Sequence, residues 1–346
     1  MIAKVLKYIL VLGLVVCCVL SFGVYRKIFQ PNTNFTEDKV EVLIPTNTSS
    51  KMLMNILEPH IERSDDFLFV AARKKYFSNI KAGRFILQKG LNNNQIINVL
   101  RSQNNPIKIT FNNLDYLEDF AAYMGNKLEC DSLQIIDIFM SKAKINESEL
   151  NYKQMMSMLI PNTYEFYWNT SAEQLWTKMS NEYLKFWTES RRNKAKILEL
   201  SFAEIYTLAS IVDKESLKRE EQPTIAGVYL NRLKHGIKLQ ADPTVIYSIR
   251  ETLNDRDTII KRVLYKDLTI DSKYNTYRYK GIPPGPIGMP GVSAIDAVLN
   301  AEEHNYFYFV ADIENPGYHD FSKTLKEHNR KSRKYSKWLN RNKIYR

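Results

Sequence analysis

The sequence predicts an α+β fold in three parts: an N-terminal transmembrane helix, a small β-α-α-β domain and a larger mixed α+β domain. Three observations carry this expectation. The uncharged run from Tyr8 to Tyr25 lies between Lys4 and Lys7 on one side and Arg26 and Lys27 on the other, and that length just spans a bilayer. Short β-branched and aromatic runs at residues 40–44, 83–87, 107–111 and 306–311 read as strands. Between them apolar residues recur at the helical period. With 346 residues, 44% hydrophobic and 25% charged, the chain can bury a real core and fits two soluble domains, which excludes a disordered protein.

The first 27 residues read as a short cytoplasmic end and an uncleaved anchor. A cleaved signal peptide would need a small-x-small exit, and only Ser21-Phe-Gly23 offers a weak one before the run ends in basic residues. Lipoprotein processing is disfavoured because Val16 precedes Cys17. Charge flanks both ends, so the positive-inside rule orients the helix only weakly. An anchor at the very N-terminus followed by a large domain exports the remainder. Cys17 and Cys18 lie in the run and Cys130 is alone outside it, so no disulfide forms within the soluble part.

A polar linker over residues 28–39 leads to a strand at 40–44, ended by Pro45. Helices at about 49–57 and 64–77 follow, then a strand at 83–87 and a helix at 94–101. This β-α-α-β order over residues 40–105 is similar to that of the LysM carbohydrate-binding module, by pattern alone; a purely structural unit is the alternative. The larger domain, 106–346, begins with a strand at 107–111 and helical segments over 117–144. Leu159-Ile-Pro-Asn-Thr-Tyr-Glu-Phe-Tyr167 reads as turn chemistry crowded with aromatics. Helices are expected at 172–188, 201–216 and 224–233, the last stopped by His235-Gly236. Asp242 before Pro243 fits an N-cap with proline at the first helical position. A proline- and glycine-rich loop studded with tyrosines covers 274–287, the kind of long loop that often carries function. Ser293 and Asp296 have capping-box spacing, and a strand closes the pattern at 306–311.

The formal net charge of +11 points to an acidic partner, which could be nucleic acid, anionic lipid or an anionic wall polymer. Basic clusters stand at 73–75, 191–192 and 323–346, and a solvated surface is the default reading of them. No zinc-finger, helix-turn-helix or aromatic RNA-binding signature accompanies the charge, which argues against nucleic acid. The five histidines lack metal-ligand spacing, with His319 and His328 read as structural, and neither a phosphate-cradling loop nor a Ser-His-Asp arrangement is present. No cofactor is implied.

The chemically informative stretch is Leu208-Ala-Ser-Ile-Val-Asp-Lys-Glu-Ser216. Ser201 and Glu204 form a capping-box pair, with Leu200 and Ile205 spaced as a hydrophobic staple, so the helix starts near Ser201. At about 100° per residue, Ile205, Leu208, Ile211 and Val212 share a stripe that Glu215 extends, while Asp213 is turned well away. A carboxyl group against apolar surface has a raised pKa and can serve as a general acid. A glutamate at a frayed helix end, or one paired with Arg232, is the plain alternative.

Several motifs in one order resemble the YceG-like family: residues 208–216, Ile-Ala-Gly-Val-Tyr-Leu-Asn-Arg-Leu at 225–233, Leu-Gln-Ala-Asp-Pro-Thr-Val-Ile-Tyr at 239–247, Tyr-Asn-Thr-Tyr at 274–277 and Gly-Ile-Pro-Pro-Gly-Pro-Ile at 281–287. Lys81-Ala-Gly-Arg-Phe, Pro161-Asn-Thr-Tyr, Tyr308-Phe-Val-Ala-Asp312, His319-Asp-Phe-Ser322 and Glu327-His-Asn329 also fit. Departures are Asp213 where the family commonly has Glu, Met156-Ser157 in place of Glu-Gly, and Ala301 where proline is common.

The resemblance implies a lyase, an endolytic transglycosylase that cuts the β-1,4 bond between N-acetylmuramic acid and N-acetylglucosamine within peptidoglycan strands. It leaves 1,6-anhydro ends and limits the length of nascent strands. A single carboxyl group, Glu215, would act first as acid and then as base. Asn231, Arg232, Gln240, Asp242, Tyr274, Asn275 and Tyr277 are candidate substrate-binding residues, each against a plainer role in capping, packing or surface pairing. The implied setting is the bacterial cytoplasmic membrane, single-pass, with the large domain on the wall side beside the peptidoglycan synthases. The competing functions are a non-catalytic, membrane-anchored peptidoglycan-binding scaffold and a hydrolytic muramidase, which would need a second carboxylate.

Overall fold

The apolar N-terminal run forms one helix, α1 (Ile2–Phe29), in a computed structural model that describes residues 2–342 other than 257 and 261. The basic tail beyond residue 342 lies outside the described residues. Within α1, Lys4–Phe29 is long and apolar enough to cross a membrane, and its apolar window is unburied among the described residues. Its last turn is held. The Asn93 amide donates to the Lys27 carbonyl at 2.8 Å, and the Lys27 ammonium stands 4.7 Å over the Phe69 ring and 3.8 Å from Asp66.

The chain divides into two compact units. The first, residues 1–109 with 127–130 and 164–171, continues with β1 (Lys39–Ile44), α2 (Ser50–Leu57), α3 (Ser64–Arg73), β2 (Gly83–Gln88) and α4 (Asn93–Ser102). β1 and β2 run antiparallel, Lys39 opposite Gln88 and Ile44 opposite Gly83. Alternation sends Val42 and Ile44 of one strand and Phe85 and Leu87 of the other inward, where they pack with Leu53, Leu57, Phe67, Ile96 and Leu100. Side chains set the starts of α2 and α4: Ser49 accepts from the Met52 amide, and Asn92 with Gln95 makes a full capping box. The linker expected over residues 28–39 is not slack. Asn32 is completely buried, bonding to the Asn93 side chain at 2.7 Å and to both backbone groups of Arg63. A buried amide satisfied on both ends orders its backbone as an apolar residue would not.

From β3 (Ile107–Phe111) the chain proceeds through α5 (Leu117–Gly125), α6 (Ser132–Phe139) and α7 (Lys142–Ser148) to β4 (Asn162–Phe166), which pairs with β3. β4 lies where turn chemistry was expected: Tyr164 and Phe166 alternate inward with exposed polar residues, a period-2 pattern that the flanking proline masks. The second unit holds α5 to α7 and continues with α8 (Ala172–Phe186), α9 (Glu189–Leu198), α10 (Phe202–Glu215), α11 (Gln222–Lys234), α12 (Asp242–Leu253), α13 (Val292–Leu299), the antiparallel hairpin β5 (Tyr308–Ala311) and β6 (His319–Ser322), and α14 (Leu325–Arg341). α9, β6 and α14 have no counterpart in the sequence expectations. The two helices bury one residue each, Ala195 and Leu339, so no apolar stripe announces them. Caps at Thr188 and at Thr324 with Glu327 start them instead.

α10 is the centre of the second unit. Its capping box at Ser201 and Glu204 forms as expected, and Phe202 stacks on Trp187 at 4.2 Å. Burial exceeds the expected stripe, since every residue from Ile205 to Val212 is inside. The polar ones among them are satisfied: Tyr206 donates to the Leu159 carbonyl at 2.7 Å, Thr207 to Ala203 and Ser210 to Thr207. Ser210 also accepts from the Ile287 amide at 3.1 Å, which ties the proline-rich loop to the helix. That loop needs Gly285, because a Cβ there would lie 2.0 Å from the Lys153 carbonyl oxygen. At α13 the expected Ser293 cap does not form. Gly291 is the N-cap, and Asp296 instead takes a two-pronged ion pair from Arg191 at 2.9 and 3.0 Å.

Leu208 is fully buried in this helix, so Leu208→Ala should cost about 2–5 kcal/mol. Urea unfolding of the detergent-solubilised chain, followed by tryptophan fluorescence, should show the lower midpoint; an unchanged midpoint would mean that α10 does not anchor the unit.

Candidate active site

α10 ends at Glu215, with Ser216 as its C-cap in extended conformation. The register that buries Leu208, Ile211 and Val212 brings the Glu215 side chain to the wall of a cleft of about 500 Å³, half-buried. Its Oε1 accepts a 2.7 Å hydrogen bond from the hydroxyl of Tyr229, on α11. Burial pushes the Glu215 carboxyl up to about 7; the Tyr229 bond and the Arg232 charge oppose the rise, while the Asp242 charge adds to it. Lying in the last turn of α10, the carboxylate also faces the negative end of the helix dipole, which works in the same direction as burial. The Tyr229 hydroxyl is held far above the usual phenol range by burial and by the Glu215 charge, so it stays a donor. Asp213 points elsewhere, as the helical arithmetic requires. It accepts from the Gln222 amide at 3.2 Å and the Gly291 amide at 3.4 Å, at the start of α13.

Four of the expected binding residues share the cleft with Glu215: Arg232, Gln240, Asp242 and Tyr277. Asp242 is not the N-cap of α12. Ala241 holds that position without a side-chain cap, and the Asp242 carboxylate instead accepts from the Tyr277 hydroxyl at 2.6 Å. Although Asp242 reaches solvent at the mouth, the surrounding protein desolvates it enough to raise its pKa, with the Tyr277 bond opposing. Arg232 is 6% exposed and spends its guanidinium on backbone, donating to the Phe307 carbonyl at 2.6 Å and to the Leu239 carbonyl. It joins two walls of the cleft and leaves a positive charge beside Glu215. Gln240 stands between them in a left-handed conformation, φ 52°.

The other three candidates lie outside this cleft. Asn231 gives its amide to the carbonyls of His304 and Tyr306 at 2.8 and 3.1 Å and faces a different depression. Asn275 is completely buried, donating to Leu268 and Ile270 and accepting from the Tyr277 amide at 3.0 Å. It shapes the loop that presents Tyr277 and does not itself reach the cleft. Tyr274 packs against Tyr247 at 4.6 Å in a separate hollow with Tyr116.

The sequence reading missed Tyr229, the acid's direct partner, and the wall formed by Tyr308, Phe309, His319, His328 and Asn329. Their signal was present in the motifs at 308–312, 319–322 and 327–329, where His319 and His328 read as structural. Tyr229 itself lies three residues before Arg232, one helical turn away on the same face.

Comparison with known proteins finds a family and relatives for this chain. The model of the YceG-like family matches residues 42–334. The chain is 30% identical over 332 residues to a Bacillus subtilis (strain 168) protein named endolytic murein transglycosylase, covering 90% of this chain and 88% of that one. A Streptococcus pneumoniae protein of the same name is 27% identical over 277 residues, 71% of this chain and 49% of its own length. A crystal structure of a yceG-like protein from Listeria monocytogenes matches with a TM-score of 0.56 at 28% identity, over 85% of this chain and all but 1% of that one, which is 99% covered.

Two outcomes follow from the Glu215 environment. In the folded chain this carboxyl keeps its proton up to about 7, against 4.5 for an unperturbed glutamate. The folded state therefore binds more protons than the unfolded state between those values, and the stability present below about 4.5 is lost as pH rises through about 7. Glu215→Gln lacks that loss, so its stability advantage over the parent should grow across this window and level off above it; parallel denaturation curves at pH 5 and 8 would refute this. Tyr229→Phe removes a donor to the carboxylate, so the Glu215 midpoint in a carboxyl ¹³C NMR titration should move above about 7.

Proposed function

The chain belongs to the YceG-like family, and from that membership together with the Glu215 cleft we infer that it is an endolytic murein transglycosylase, a lyase acting on peptidoglycan strands. The observation that carries the mechanism is the half-buried Glu215 carboxyl, which holds its proton up to about 7 at the wall of a cleft of about 500 Å³.

Near neutral pH such a group is part acid and part base, which suits a residue that must be both. Glu215 gives its proton to the glycosidic oxygen, which departs as the 4-hydroxyl of N-acetylglucosamine and leaves positive charge at C1 of the muramoyl ring. The resulting carboxylate, stabilised by the Tyr229 hydroxyl, takes the proton of the muramoyl 6-hydroxyl as its oxygen bonds to C1. The product is a 1,6-anhydro ring, no water is consumed, and Glu215 is again protonated. Arg232 fixes the walls around the acid. Gln240, Asp242 and Tyr277 are the groups placed to bind sugar hydroxyls, and Asp242 adds negative charge near the forming cation.

Asp242 also supports a second reading. A carboxylate in the same cleft as a protonated Glu215 is what a muramidase uses to activate water or to form a covalent intermediate. The Tyr277 bond occupies one of its oxygens and leaves the other for that task.

We read α1 as a single-pass anchor of the cytoplasmic membrane with the rest of the chain on the wall side, supported by its length and apolarity and by the docking of its last turn. The β1-α2-α3-β2 order supports reading the first unit as LysM-like and glycan-directed.

The test is digestion of purified peptidoglycan by the detergent-solubilised chain, with products resolved by mass spectrometry. The parent should release fragments with 1,6-anhydro ends, and Glu215→Gln should be at least about a hundredfold slower. Reducing ends from the parent would favour the muramidase, and undiminished activity in Glu215→Gln would remove that residue from the mechanism.

A further inference from the structure

β6 carries a histidine into the Glu215 cleft on a fixed mount. The mount is Glu221, 7% exposed, whose carboxylate receives three donors: the His319 backbone amide at 2.7 Å, His319 Nδ1 at 2.8 Å and the Ser216 hydroxyl at 3.2 Å. Ser216 is the residue after the catalytic acid, so one buried carboxylate ties the end of α10 to the histidine. A second path runs through rings. Phe309 meets His319 edge-on at 5.1 Å and Tyr229 edge-on at 5.8 Å, and Tyr229 bonds Glu215. Glu215 and His319 are therefore held at a set separation in one cleft.

The chemistry of the mount decides what His319 offers. A carboxylate only accepts, so the ring proton sits on Nδ1, and in the neutral ring Nε2 is left as an acceptor. Among the described residues Nε2 makes no hydrogen bond, and the side chain is 13% exposed, in the cleft lining. With the ring neutral, its partner is a donor on the substrate. Within a glycan strand the muramoyl ring has O1 and O4 in glycosidic bonds and O3 in the lactyl ether. Only the acetamido N–H and the 6-hydroxyl remain as donors, and the mechanism inferred above gives the 6-hydroxyl proton to Glu215.

We propose that His319 binds the 2-acetamido N–H of the muramoyl residue through Nε2, with Glu221 as its positioning residue, and thereby turns the acetamido carbonyl oxygen toward C1. This rests on the transglycosylase reading. The carbonyl dipole then faces the positive charge at C1 as the leaving group departs, and no bond is made or broken by the histidine itself. The site selects for N-acetylated muramoyl units.

The experiment compares rates of anhydro-end formation on peptidoglycan and on the same peptidoglycan after chemical N-deacetylation, using the full chain in detergent. The parent should prefer the acetylated strands. His319→Ala should lose roughly tenfold to a hundredfold in kcat on acetylated strands, with little change on deacetylated ones, so the preference collapses. His319→Gln, which keeps an acceptor, should restore part of it, and Glu221→Gln should weaken the preference less than His319→Ala does. Equal losses on both substrates, with or without a fall in thermal stability, would mean a structural role and overturn the proposal. So would an unchanged preference. Failure of the parent to form anhydro ends on either substrate would instead refute the transglycosylase reading itself.

Discussion

The second unit is organised around a helix that has no exposed face over most of its length. From Ile205 to Val212 α10 is inside, so its register is set by packing on all sides. Glu215 stands one residue before the cap, at the point where this buried helix meets the cleft. A carboxyl group on a surface helix would be hydrated and charged at neutral pH. Here the packing that orders the helix also desolvates the acid.

Desolvation by itself favours the protonated acid. The neighbours adjust it: the Tyr229 hydroxyl and the Arg232 charge favour the carboxylate, while burial and Asp242 favour the acid. The balance lies near neutrality, which suits the proposed role of giving and then recovering a proton. Arg232 has a double part in this, because the bonds that fix it run to backbone carbonyls on both sides of the cleft and leave its charge uncommitted to any one carboxylate. Glu221 plays a comparable part just beyond the acid, at the same end of α10, holding Ser216 and His319 together from a buried position.

Polar groups buried in the first unit do similar work. Asn32 and Asn93 bond to each other, to Arg63 and to the last turn of α1. The junction between the apolar helix and the β1-β2 unit is thus fixed by directional bonds where composition alone reads as a loose linker. Directional bonds specify an angle that apolar contact leaves open.

The sequence by itself determined what depends on short-range pattern. The apolar run, the strands at 40–44, 83–87 and 107–111, the capping box of α10 and the inward direction of Glu215 relative to Asp213 all follow from neighbours a few residues apart, and each is legible there. α9 and α14 were not, because highly charged helices with one buried residue carry no stripe. The tertiary structure alone decided which side chains surround the acid. Asp242 has the local signature of a cap and is instead bonded to Tyr277, 35 residues away; Asn231 and Asn275 look like sugar ligands and spend their amides on backbone. His319 reaches Glu221 across 98 residues. Periodicity reports which way a side chain leaves its helix, whereas a hydrogen-bond partner is chosen by how distant segments pack, and that information is in no local window.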